Sequence, residues 1–280
     1  MILITGDKGF VGTATKKELE EHTQVSGYDL MRGHDIRDYN HLYDFVKQHR
    51  PFRIIHLAAI ARFSEADKDP LRALGTNVKG TYNVVRVADA FRIPLVYAST
   101  GSVYMPIKEK PPITEEFQTS GNSIYGCTKL MGEEYVKRMK APWIILRYAH
   151  LYGKEKRYHG LIGGFAARIQ RGMAPTLYGG KQSNDFTYIE DVARANRAAI
   201  EAPWDSWCQV YNIGTGEELT AQKAGEMICQ TMHYNGTIDT KEARTVDPQH
   251  FVYDTKKAEE MLGFKAQYNF KQGLREMYGK

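Results

Sequence analysis

Tyr125 and Lys129 stand four residues apart, about twenty-five residues after the run Ser99-Thr100-Gly101-Ser102-Val103-Tyr104. On a helix that interval puts both side chains on one face. A free phenol has a pKa of about 10, so a tyrosine acting as a base near neutrality needs its phenolate stabilised by about three units, roughly 4 kcal/mol. A neighbouring ammonium and an oxidised nicotinamide are two charges that could supply the shift. Thr100 would donate to the oxygen that becomes a carbonyl, and Lys129 could also donate to a nicotinamide ribose. Such a set oxidises an alcohol reversibly. Alone, Tyr-x-x-x-Lys is an ordinary pair on a surface helix, and its weight comes from what precedes it in the chain.

A cofactor site must be built beside it. Met1-Ile2-Leu3-Ile4-Thr5 has the length and branching of a buried parallel strand, and it breaks into Gly6-Asp7-Lys8-Gly9-Phe10-Val11-Gly12 before a helix expected through about Glu21. Strand, glycine turn, helix is the dinucleotide-binding order, with Gly6, Gly9, Phe10, Val11 and Gly12 as the binding turn. One glycine permits the tight turn, one the approach of a pyrophosphate, and one the close packing of helix on strand. Free N–H groups at the helix start then face the phosphate charge. The spacing G-x-x-G-x-x-G is a variant of the more general G-x-G-x-x-G and would by itself also suit a plain turn. A second strand, about 24 to 28, ends in Asp29, whose carboxylate can accept from both ribose hydroxyls of adenosine. That favours NAD over NADP. Arg32 softens the preference, since a guanidinium there could hold a 2′-phosphate. Asp35 and Ile36 could close over the adenine, or Asp35 could merely cap the next helix.

Further strands are expected at 53–59, 95–99, 143–148 and 209–213, with helices around 38–49, 70–92, 123–139 and 190–201. The alternation means an α/β fold, a Rossmann-type doubly wound parallel sheet with a smaller C-terminal substrate-binding domain. The dinucleotide-binding domain is drawn at 1–153 plus about 184–215, and the substrate-binding domain at about 154–183 plus 216–280. The chain has 280 residues and a net charge of +5, with acids and bases interleaved, so it carries no footprint for nucleic acid or membrane. Cys127, Cys208 and Cys229 are odd in number and lack C-x-x-C spacing, which argues against a disulfide framework and a zinc site; no metal is implied. With no signal peptide before the first strand and no apolar stretch of membrane-helix length, a cytoplasmic protein is expected.

The chain resembles the extended short-chain dehydrogenase/reductases of the NAD-dependent nucleotide-sugar epimerase/dehydratase family, of the UDP-glucose 4-epimerase-like kind, along nearly its whole length. The carrying residues are Thr5-Gly6-x-x-Gly9-x-x-Gly12, Asp29, Asp35-Ile36, His56-Leu57-Ala58-Ala59, Asn77-Val78-Lys79-Gly80-Thr81, Ser99-Thr100-x-x-Val103-Tyr104, Tyr125-x-x-x-Lys129, Leu146-Arg147-Tyr148, Asp185 through Val192, and Tyr211-Asn212-Ile213-Gly214. The resemblance implies NAD as cofactor. It implies that Leu57, Ala58 and Ala59 line the cofactor channel, that Asn77 supports it, and that Thr100, Tyr125 and Lys129 are catalytic. It also implies a homodimer paired through helices near 80–92 and 125–139.

Within that family the 4,6-dehydratases place an Asp-Glu pair after the threonine and the decarboxylases usually keep a Glu, whereas this chain has Gly101 and Ser102. Neither is an acid or a base, so epimerisation of a nucleotide-diphosphate sugar at C4 is expected, with a nucleotide-sugar 4-ketoreductase as runner-up. A 4,6-dehydratase or a non-catalytic NAD(P)-binding regulator fits less well. Thr100, Ser102, Tyr125, His150 and Arg244 are the substrate-binding candidates. The resemblance assigns Arg244 the diphosphate, though a lid arginine on the surface would look the same. His150 stands where the family commonly has Asn, Asn184 where it has Arg, and Met105 where it has Gly; Arg157, Arg168 or Arg171 could replace the missing cation. His34, His41, His49 and His159 read as solvated. Trp143, Trp204 and Trp207 read as core or domain-junction packing. Tyr178, Phe186 and Phe165 are open as stacking partners for the nucleotide base.

Overall fold

A computed structural model describes residues 1–104, 112–121, 123–154, 160–243 and 250–279. Its centre is a six-stranded sheet in the order β10-β5-β4-β3-β1-β2, formed by β1 (Ile2–Thr5), β2 (Val25–Tyr28), β3 (Arg53–His56), β4 (Leu95–Thr100), β5 (Trp143–Tyr148) and β10 (Gln209–Ile213). All its pairings are parallel. β1 and β4 are runs of apolar and small residues buried along nearly their full length, as a strand covered on both faces requires. Helices α1 (Phe10–Glu20), α2 (Tyr39–His49), α3 (Phe63–Lys68), α4 (Pro70–Ala73), α5 (Thr81–Phe91), α6 (Ile124–Val136), α7 (Leu161–Gln170) and α8 (Ile189–Glu201) follow in chain order. The parallel sheet with its flanking helices is the fold class the alternation implied.

Three two-stranded ribbons complete the structure. β6 (His150–Tyr152) pairs with β9 (Phe186–Tyr188), β7 (Thr176–Tyr178) with β12 (Asp239–Lys241), and β8 (Ser183–Asn184) with β11 (Leu219–Thr220). Helices α9 (Ala221–Thr231), α10 (Lys256–Leu262) and α11 (Phe270–Tyr278) close the chain, the last begun by a reciprocal cap between Asn269 and Gln272.

Two details depart from sequence expectation. The single helix expected over 70–92 is interrupted by a π-helical stretch, Leu74–Gly80, between α4 and α5. The wider turn carries Asn77, and π segments of this kind gather at functional sites. The third strand also stops at His56, because Leu57 to Ala59 turn away beyond the sheet. Trp207 is buried and Trp143 half-buried, as packing residues should be, but Trp204 is 63 % exposed, with Arg53 over its ring. His41 and His49 are exposed, while His34 is half-buried and stacked on Tyr28 with ring centroids 4.8 Å apart.

Among the described residues one ion pair has both partners almost fully buried. Glu133 of α6 and Arg147 of β5 are both almost fully buried and meet in a two-armed contact, Nη2 to Oε2 at 2.7 Å and Nε to Oε1 at 2.9 Å. Ser99 Oγ of β4 donates to the same carboxylate at 2.6 Å. The remaining guanidinium nitrogen donates to Tyr104 Oη at 2.7 Å, and that hydroxyl donates to Asn212 Oδ1 of β10 at 2.8 Å. Burial by itself would raise the Glu133 carboxyl, yet the Arg147 and Ser99 hydrogen bonds and the Arg147 charge bring it below the ordinary value.

Replacing Glu133 by Gln leaves a buried guanidinium without its counter-charge, and we expect a loss of about 3–5 kcal/mol in unfolding free energy by denaturant titration. A carboxyl with a depressed folded pKa stabilises the fold above the unfolded pKa of about 4.3 and loses that contribution as pH falls through the folded value. Wild-type melting temperature should therefore drop below about pH 4 more steeply than that of Glu133→Gln.

Candidate active site

The sheet order reverses between β1 and β3, with β2 on one side of β1 and β3 on the other. Ligands of open α/β sheets sit at such a switch point, beyond the carboxyl ends of the strands. Gly6 follows β1 there with φ 77°, and a Cβ on it would lie 2.6 Å from the backbone nitrogen of Ala58. Only glycine lets the β1 turn pass the β3 turn. Gly12 sits in the first turn of α1, where a Cβ would come within 2.0 Å of the Gly6 carbonyl oxygen. Gly9 caps α1 with no side-chain hydrogen bond, and its own Cβ would meet only the Gly6 carbonyl, at 3.3 Å. Gly6 thus serves the tight turn and Gly12 the close packing of helix on turn, and the first N–H groups of α1 have no intrahelical acceptor. Phe10 and Val11 are half-buried at the same helix start, and Leu57, Ala58 and Ala59 are half-buried beyond β3.

Asp29 is held at the end of β2, accepting from Met31 N at 2.8 Å and from Lys8 N of the glycine turn at 3.1 Å. Arg32 does not point to open solvent beside it. Its Nε and Nη2 donate to Asp7 Oδ2 at 3.2 and 3.0 Å, and the Asp7 side chain is fully buried. Asp35 gives its carboxylate to Arg37, and its carbonyl accepts from Tyr28 Oη at 3.2 Å. The Ile36 side chain is buried, so tightly set against Gly80 that a Cβ there would lie 2.6 Å from Ile36 Cδ1. Of this pair, the Asp35 side chain is half-buried and paired with Arg37, and the Ile36 side chain belongs to the core.

Thr100 ends β4, in register with Tyr148 of β5. Ser102 N donates to Thr100 Oγ1 at 3.2 Å, and a Cβ on Gly126 would come within 2.7 Å of the Ser102 carbonyl oxygen. The start of α6, capped by Ser123, is therefore pressed against the hydroxyl run. Tyr125 stands in the first turn of α6. Burial pushes its phenol up to about 12, with a hydrogen bond from Thr100 acting the other way. Lys129, one turn later, is buried and pushed down to about 7, with Glu133 opposing the shift. Its Nζ lies 4.1 Å from the centroid of the Tyr97 ring. Burial is the leading influence on both groups, and the Lys129 ammonium stands over the Tyr97 ring with Glu133 opposing its shift.

Several residues support the site through long-range contacts that local motif does not reveal. Asn77 bridges Ile60, accepting from its N–H at 2.7 Å and donating to its carbonyl at 3.0 Å, and also donates to Thr128 Oγ1 at 3.0 Å. Thr128 in turn donates to the Tyr125 carbonyl at 2.8 Å, so the π turn, the loop after β3 and α6 are fastened together. His56, fully buried and pushed down to about 3 by burial, lies between Thr5 Oγ1 at 2.6 Å and Thr81 Oγ1 at 3.0 Å. Glu133, not singled out in the sequence, was findable in advance, since Tyr125, Lys129 and Glu133 recur every four residues.

His150 lies just beyond β5, its N–H bonded to the Asp185 carbonyl at 3.0 Å and its ring edge-on to Phe186. Burial pushes its imidazole down to about 4, so it is neutral near pH 7. Asn184 is half-buried in β8, and Arg168 is committed to the Ala174 carbonyl. Arg171 is exposed at the end of α7. Phe165 and Phe186 are core residues, which leaves Tyr178, half-buried, as the more accessible stacking candidate. Arg244, Met105, Arg157 and His159 lie outside the described residues.

The profile of the NAD-dependent epimerase/dehydratase family matches residues 2–214. The chain is 29 % identical to a putative UDP-glucose 4-epimerase of Methanocaldococcus jannaschii, across 99 % of this chain and 97 % of that protein. It is 28 % identical to a UDP-N-acetyl-alpha-D-glucosaminuronate decarboxylase of Bacillus cytotoxicus, across 98 % and 95 %. The crystal structure of UDP-glucose 4-epimerase with UDP-glucose from Thermotoga maritima superposes with a TM-score of 0.90 at 26 % identity, covering 99 % of this chain and 97 % of that one.

Gly12→Ala places a methyl group inside the Gly6 turn. We expect α1 to be displaced, a cost of about 1–3 kcal/mol, and the melting temperature to fall by several degrees. Dinucleotide should no longer raise the melting temperature of this variant, a readout that needs no turnover.

Proposed function

The chain belongs to the NAD-dependent epimerase/dehydratase family, and on that premise we propose that it epimerises a nucleotide-diphosphate sugar at C4 through a transient 4-keto form. The observation that carries the reading is the meeting of Thr100, Tyr125 and Lys129 beyond the carboxyl end of β4, with Gly101 and Ser102, neither an acid nor a base, directly after Thr100. Gly101 leaves no space for one: a Cβ there would lie 2.3 Å from the Phe251 ring and 2.7 Å from Tyr253 Oη. A carboxyl side chain at residue 101 therefore has no room, and residue 102 is a serine.

Gly6, Gly9, Phe10, Val11 and Gly12 would hold the pyrophosphate of NAD, Asp29 its adenosine ribose, and Leu57, Ala58 and Ala59 its channel, braced by Asn77. Bound there, NAD supplies the hydride acceptor and donor. Tyr125 takes the proton of the C4 hydroxyl, Thr100 donates to the oxygen that becomes the carbonyl, and Lys129 holds the nicotinamide ribose. Ser102 and the neutral His150 bound the sugar pocket as hydrogen-bonding walls, and Arg244 is assigned to the diphosphate. Relatives that act on UDP-sugars make these the first substrates to test.

We retain the division into a dinucleotide-binding part, 1–153 plus about 184–215, and a substrate-binding part, about 154–183 plus 216–280. We also read the protein as a homodimer. Leu71, Leu74, Tyr82 and Met131 expose large apolar side chains on neighbouring elements, α4, the π turn, α5 and α6. Among the described residues no helix is long and apolar enough to cross a membrane. Free thiols at Cys127, Cys208 and Cys229 suit a cytoplasmic setting.

The test is a panel of nucleotide sugars with products separated by stereochemistry. Wild type should interconvert a C4 pair with no net accumulation of NADH, and Tyr125→Phe should be slower by about a hundredfold or more. Undiminished rate in the Phe variant would remove Tyr125 as the base, and stoichiometric consumption of added NADH would favour the 4-ketoreductase.

A further inference from the structure

An arginine close behind the acidic residue of β2 is the usual means of accommodating the 2′-phosphate of NADP. Arg32 occupies that position, three residues past Asp29. Its guanidinium is nevertheless taken up by a carboxylate from the glycine turn, and we propose that Asp7 is a cofactor-specificity determinant that excludes NADP by sequestering Arg32. The inference rests on the NAD reading above and adds to it a residue that itself need not touch the cofactor.

Four groups converge at this point. Asp29 accepts from Lys8 N, so the turn bearing Asp7 lies against the carboxylate that would read the ribose hydroxyls. Arg32 sends both Nε and Nη2 to the single oxygen Asp7 Oδ2, at 3.2 and 3.0 Å. Asp7 is fully buried while Arg32 is 37 % exposed, so the carboxylate is the fixed partner and the guanidinium the movable one. Asp7 Oδ1 is buried with no hydrogen-bond partner among the described residues, and Arg32 is the cation paired with this carboxylate, so its departure is costly. The arrangement is built rather than incidental, because the carboxylate occupies the place of a side chain at residue 27: a Cβ on Gly27 would lie 2.2 Å from Asp7 Cγ. To bind a 2′-phosphate, Arg32 would have to abandon a buried charge. A 2′-hydroxyl asks nothing of Arg32 and binds to Asp29 alone.

Asp7→Asn keeps the shape and removes the charge, freeing Arg32 for a phosphate. Purified protein is equilibrated with an equimolar mixture of NAD and NADP, desalted, and the retained dinucleotides are released and separated by chromatography. We expect wild type to retain mainly NAD and Asp7→Asn to shift the bound NADP-to-NAD ratio upward by about tenfold, short of inversion because Asp29 still repels the phosphate. Asp7→Ala is run alongside, each variant being checked for a cooperative melt, so that one misfolded variant leaves the other to decide. Asp7→Asn with Arg32→Gln should return the ratio to the wild-type value if the effect passes through Arg32. A ratio within about twofold of wild type in a folded Asp7 variant, or a gain that survives Arg32→Gln, would overturn the inference while leaving NAD binding intact. Wild type retaining neither dinucleotide would overturn the cofactor reading itself.

Discussion

The buried contact between Glu133 and Arg147 is what the candidate site depends on. Tyr125, Lys129 and Glu133 occupy one face of α6 at successive turns, so fixing the last of them fixes the direction of the other two. Arg147 supplies the anchor from β5, Ser99 reinforces it from β4, and Tyr104 extends it to Asn212 on β10. One carboxylate therefore sets the helix against three adjacent strands of the sheet. A buried ion pair contributes little net stability over an apolar substitute, but it is directional and costly to break by halves. Those are the properties needed to hold a phenol and an ammonium within reach of a reacting carbon.

The same burial that fixes these groups works against their chemistry. Desolvation raises Tyr125 and lowers Lys129, so each is driven toward its neutral form. Glu133 counters this for Lys129, and Thr100 counters it for Tyr125. An oxidised nicotinamide bound beside Tyr125 would add a positive charge that favours its phenolate.

Close approach is the second constraint. Gly6 against Ala58, Gly12 against Gly6 and Gly27 against Asp7 each bring backbone or charge to a distance at which no Cβ fits. Gly101 is under the same limit, since Phe251 and Tyr253 occupy the space its Cβ would need.

Periodicity and local motif made the parallel sheet, most of its strands, the glycine turn, Asp29 and the Thr100, Tyr125 and Lys129 set legible from the sequence alone. Each depends on neighbours a few residues away, and alternation, turn chemistry and a four-residue helical interval are short-range properties. The partners of charged and polar groups were not legible. That Arg32 answers to Asp7 rather than to open solvent, that Arg147 answers to Glu133, and that Asn77 joins Ile60 to Thr128 are contacts between residues 14 to 51 positions apart, made only when the strands assemble. Likewise the shifts of Tyr125 and Lys129 follow from burial, which no local pattern encodes. The sequence thus determined which chemical groups the site contains, and the tertiary structure decided which of them are free to act, because the free energy of a charge depends on the solvent and partners that folding removes or supplies.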